Sequence, residues 1–67
     1  MIDKKTIGKR LIRLRDTETQ REVANAVNVS TSALAMYEAG QRIPRDEVKI
    51  RLARYYGVSI ESIFFAP

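Results

Sequence analysis

Apolar residues recur along the chain at three- and four-residue intervals and never in sustained alternation, a pattern that predicts helices and no sheet. Ile7, Leu11 and Leu14 stand at i, i+4 and i+7, one stripe of a first helix that Asp3 caps and that runs to about Arg15. Gly8 interrupts this helix at a cost of about 1 kcal/mol relative to alanine. Two readings stay open for it: a close approach of another element, or a tolerated glycine. After a short polar connection, Asp16-Thr17-Glu18, comes Thr19-Gln20-Arg21-Glu22, a capping box that starts a second helix with Val23, Ala24 and Val27 turned inward. Asn28 ends that helix, because Asn tolerates the left-handed backbone of a tight turn. Val29 plugs the turn.

Ser30 opens a third helix only eleven residues after Thr19 opened the second. This helix runs to about Ala39, with Gly40 as its stop. Gln41-Arg42-Ile43-Pro44 forms a loop. A fourth helix begins near Arg45 or Asp46, with Val48, Leu52, Tyr55 and Tyr56 as its inner face, and Gly57 closes it. Ser59 caps a short last helix from Ile60 to about Phe65. Internal repeats and low-complexity segments are absent from the sequence, and the expectation is one domain over residues 1–67.

Two short helices joined by so few residues make a helix-turn-helix, here over about residues 20–39. The first helix of such a pair braces, and the second can lie in the major groove of DNA. Helix three has the face for it. Ala33, Leu34 and Tyr37 fall inward, and Thr31, Ser32, Ala35 and Met36 fall outward. The outer set is small, uncharged and partly apolar, where a solvated helix would carry Lys and Glu.

Charge points the same way without deciding it. Twelve Lys/Arg against eight Asp/Glu give +4, which suits nucleic acid or an acidic membrane surface but also an ordinary solvated basic surface. The 67 residues contain no cysteine and no histidine. Disulfides are excluded, no metal site or cofactor is expected, and a reducing compartment fits. No apolar run is long enough to span a membrane, and the start, Met1 to Lys5, lacks a signal peptide's apolar stretch. The expected location is the cytoplasm.

Several stretches, taken in order, resemble the phage-repressor-like helix-turn-helix domains, the Cro-like or Xre-like family. They are Ile7-Gly8-Lys9-Arg10-Leu11 with Leu14-Arg15, Thr19-Gln20 with Val23-Ala24, Val29-Ser30, Leu34 with Tyr37-Glu38-Ala39-Gly40, Arg42 with Pro44, and Leu52 to Ser59. The resemblance spans about residues 6–65. It implies an all-α fold, a compact five-helix lambda-repressor-like domain. Two departures stand out: Asn28 replaces the family's usual turn glycine, and the connection between helices one and two is about two residues shorter.

The resemblance also implies roles. Thr31, Ser32, Ala35 and Met36 take base-facing positions. Gln20, Ser30, Arg42 and Arg45 take phosphate-facing ones, Gln20 with its backbone amide at a helix N-terminus. Arg15 and Glu38 match an ion pair tying helix one to helix three. Among Lys9, Arg10 and Arg13, some are expected to reach phosphate and others to be helix surface. The last segment carries more apolar surface than a thin core covers, so Ile60, Phe64 and Phe65 are expected at the seam of a homodimer on a near-palindromic operator.

The leading expectation is a sequence-specific double-stranded DNA-binding transcriptional regulator, most simply a repressor, with no enzymatic site and no small-molecule ligand. The alternative is a protein-interaction module on the same fold, such as an antitoxin-like partner or a co-regulator. RNA or membrane-surface binding has little support, because the aromatics Tyr37, Tyr55, Tyr56, Phe64 and Phe65 form no stacking platform.

Overall fold

The computed structural model describes residues 2–67, leaving Met1 outside. Five helices follow in order: α1 (Lys4–Arg15), α2 (Gln20–Ala26), α3 (Thr31–Glu38), α4 (Asp46–Tyr56) and α5 (Ile60–Phe64). No strand occurs among the described residues. Four of the helices start on a side-chain cap, which covers amides that would otherwise lack an acceptor. Asp3 accepts from the Thr6 amide at 2.8 Å, Ser30 from Ala33 at 3.0 Å, and Ser59 from Ser62 at 3.1 Å. At α2 the box is reciprocal: the Glu22 amide donates to the Thr19 hydroxyl at 3.0 Å, and the Thr19 amide donates to the Glu22 carboxylate at 2.9 Å. These bonds to Thr19 hold the Glu22 carboxyl below its ordinary pKa. Only α4 lacks a side-chain cap; Asp46 and Glu47 sit in its first turn instead.

Three helices end in the same way. One residue turns left-handed and two amides fold back onto the last carbonyls. At α3 the turning residue is Gly40, with Gly40 N–H donating to Tyr37 O and Gln41 N–H to Met36 O. At α4 it is Gly57, with amides 57 and 58 donating to Arg54 O and Ala53 O. At α2 it is Asn28, at φ 58°, with Asn28 and Val29 donating to Asn25 O and Ala24 O. The asparagine therefore does the glycine's work, since its short polar side chain tolerates this backbone. The short connection after α1 turns at Asp16, also at positive φ, and closes with Glu18 N–H on Arg15 O.

The core takes Ile7 and Leu11 from α1, Val23, Ala24 and Val27 from the α2 segment, Leu34 and Tyr37 from α3, Val48, Leu52 and Ala53 from α4, and Ile63 and Phe64 from α5. The inner face of α4 differs from the sequence expectation at two residues. It is centred between Leu52 and Tyr56 and takes in the small Ala53, so Tyr55 turns to the rim and is 39% exposed. Its hydroxyl donates to the Glu18 carboxylate.

Gly8 resolves to the close-approach reading. A Cβ there would collide with the backbone carbonyl oxygen of Glu38 and stand 3.0 Å from that of Tyr37. Because backbone cannot swing aside as a side chain can, Gly8→Ala should push α1 off α3. The expected loss is about 1–3 kcal/mol of overpacking, against roughly 1 kcal/mol gained in helix propensity. A melting temperature equal to or above the parent's would show that α3 yields.

Candidate nucleic-acid interface

Helix α3 divides cleanly between inward and outward duties. Leu34, Tyr37 and Glu38 are buried, and Thr31, Ser32 and Met36 are exposed, with Ala35 half-buried between them. At about 100° per residue, positions 31, 35, 32 and 36 lie side by side on one arc. That arc carries no charge. The only carboxylate on α3 is Glu38, which adjoins the edge of that arc and is buried.

Glu38 is held by three donors. Arg15 Nε reaches its Oε2 at 2.8 Å and Arg15 Nη2 its Oε1 at 3.1 Å, a bidentate fork. The Gln20 amide donates to Oε1 at 2.8 Å. Arg15 Nη1 also donates to the backbone carbonyl of Glu18 at 2.7 Å. One carboxylate, with its side chain only 3% exposed, thus binds together α1, α2 and α3, and Arg15 adds the connection after α1. Hydrogen bonding to Glu38 holds the Arg15 guanidinium above its ordinary pKa, against the opposing effect of burial. Beside this cluster the Tyr56 hydroxyl is buried without a hydrogen-bond partner. Burial first, and then the negative charges of Glu38 and Glu18, push its pKa up to about 12.

The phosphate-facing expectations find these surroundings. Gln20 is half-buried at the first turn of α2, where its side-chain nitrogen uses one hydrogen on Glu38 and keeps a second. Ser30 is exposed, and its oxygen accepts from the Ala33 amide while its own hydrogen stays free to donate. Arg42 and Arg45 are exposed on the connection between α3 and α4. Arg10 is taken elsewhere: its Nη1 donates to the carbonyls of Ser62 and Ile63 at 3.1 and 3.2 Å, anchoring α5 to α1. Lys9 and Arg13 are exposed.

Of the three expected seam residues, Phe64 does not fit. It is 4% exposed and fills the core, while Phe65 is 57% exposed. Neighbouring residues point about 100° apart on a helix, so only one of the pair could turn inward. The Lys49 ammonium lies 5.2 Å from the centre of the Phe65 ring. Ile60 is half-buried against the core.

A helix-turn-helix family model matches residues 10–63. The chain belongs to the helix-turn-helix family. Among solved structures, this helix-turn-helix chain is similar to the clp gene regulator ClgR from Corynebacterium glutamicum. The two are 25% identical with a TM-score of 0.82, over 94% of this chain and 69% of that one. No curated protein matches the chain. The matched family span begins at Arg10 and includes Arg15, Gln20, Glu38 and the whole of α3.

The Gln20–Glu38 bond and the Arg10 anchor were not readable from the sequence. Both join residues far apart in the chain, and neither has a local pattern. The nearest signal was that Glu38 stands as the sole acid on a helix otherwise free of charge.

Proposed function

We propose that this helix-turn-helix protein is a sequence-specific double-stranded DNA-binding transcriptional regulator, acting most simply as a repressor that occupies an operator. One observation carries the reading. The exposed arc of α3 is free of charge, and the helix's one carboxylate is buried and paired with Arg15. An acid-free arc suits a surface that must approach a polyanion. In this reading Thr31, Ser32, Ala35 and Met36 face the bases. Gln20, Ser30, Arg42 and Arg45 face the phosphates and set the register of the domain on the duplex. A cytoplasmic location accords with this role. No helix among the described residues is long and apolar enough to cross a membrane. The regulator similarity of ClgR supports the same reading.

Binding of a duplex at moderate salt with competitor DNA present tests the proposal, and failure to bind would favour a protein-interaction module instead. Within it, Arg42→Ala should weaken all sequences alike and lower the salt slope by roughly one unit. An unchanged slope would remove Arg42 from the phosphate contacts.

The reading extends to assembly. A domain with so few base-facing residues gains specificity by pairing on a near-palindrome. The exposed Phe65, with Ile60 beside the core, supports a homodimer seam at the C-terminal helix. Sedimentation of the free and operator-bound protein should give one and two copies respectively at low concentration. One copy per operator would end this part of the proposal.

A further inference from the structure

Between the α2–α3 turn, the loop after α3 and the second turn of α4 lies an open groove of about 370 Å³. Asn28, Tyr37, Arg42, Arg45, Val48 and Arg51 are among the residues that line it. The two ion pairs among the described residues, Arg15–Glu38 and Lys49–Asp46, use none of these arginines. Arg51 is half-buried, yet its only recorded hydrogen bond runs from Nε to the Glu47 carbonyl of its own helix at 3.4 Å. Its two terminal nitrogens remain unused among the described residues.

Three arginines line this one groove, and like charges gathered in a concave site favour an anionic partner. The arrangement is relieved by a compact anion that can accept several forked donors, for which phosphate is the natural match. We infer that Arg42, Arg45 and Arg51 together form one seat for a phosphate group, with Asn28 at its edge and Arg51 as the member that no base-facing or loop role requires. Two sources share this chemistry. One is a backbone phosphate of duplex DNA flanking the bases that α3 faces, in which form the inference rests on the DNA-binding reading above. The other is the phosphate of a free nucleotide.

Wild type, Arg51→Ala and Arg51→Lys are titrated with a mixed-sequence duplex across a salt series, and separately with inorganic pyrophosphate, following the amide resonances of Asn28 and Arg51. If the backbone fills the seat, Arg51→Ala loses about threefold to tenfold in duplex affinity at low salt and the slope falls by roughly one unit. Arg51→Lys then restores the slope but only part of the affinity, because it keeps the charge and loses the fork. If a free phosphate fills it, pyrophosphate binding saturates in the wild type and is lost in Arg51→Ala, with the duplex slope unchanged. A wild type that binds pyrophosphate through Arg51 but no duplex keeps the seat and removes the DNA reading. An Arg51→Ala protein with an intact fold, an unchanged slope and no saturable pyrophosphate response in the parent overturns the inference.

Discussion

Glu38→Ala should come close to unfolding the domain. A chain of this length has roughly 3–10 kcal/mol of total stability. Removing one partner of a buried ion pair typically costs about 3–5 kcal/mol, and the guanidinium left behind here is half-buried, with its side chain 20% exposed. Here the loss is compounded, since Arg15 and Gln20 both donate to this carboxylate. Glu38→Gln keeps the shape and an acceptor oxygen, and should fold with a lower melting temperature. About 1–3 kcal/mol is expected there, and each kcal/mol is worth roughly 4–8 °C in a domain of this size. Thermal melts of the two variants side by side check both steps. Equal melting of Glu38→Ala and wild type would mean that the network contributes nothing net.

Met36→Glu should separate binding from folding. Met36 is 37% exposed on the outer arc of α3, and a surface change away from the core usually stays within about 0.5 kcal/mol in stability. In a DNA-bound pose the new carboxylate would face the phosphate-lined groove, and a like-charge juxtaposition costs several kcal/mol. Duplex affinity should fall by about two orders of magnitude. Met36→Ala should instead shift base preference at one or two positions, at about 1–3 kcal/mol for a lost good contact. Fluorescence anisotropy with the melt recorded on the same samples is the measurement. A Met36→Glu protein that binds as tightly as the parent would take α3 out of the interface.

The helix boundaries were legible in the sequence because caps are local. Asp3, Thr19 with Glu22, Ser30 and Ser59 each act within three residues of themselves. The left-handed stops at Asn28, Gly40 and Gly57 are equally local. The division of α3 into inner and outer arcs followed from helical spacing. What depended on the relative rotation of two helices was not legible. Phe64 and Phe65 are adjacent and chemically identical, so only the docking angle of α5 decides which one is buried. Tyr55 and Tyr56 pose the same problem on α4, and the small Ala53 settles it by letting that face come close. The meeting of Gln20 with Glu38, eighteen residues apart, needs both α2 and α3 in place. The candidate site was therefore readable as a face but not as a network, and the groove containing Arg51 was not readable at all.

The separation of duties on α3 bears on how this protein could change over generations. Leu34, Tyr37 and Glu38 are buried and Ala33 packs against the core, whereas the side chains of Thr31, Ser32 and Met36 lie on the exposed side. Substitutions on the outer arc can accumulate without drawing down the thin stability reserve of a small domain. Under the DNA-binding reading, the preferred operator can then drift while the scaffold stays still. A pool randomised at positions 31, 32 and 36 should stay largely folded, and should hold the raw material for readdressing the protein to new sites.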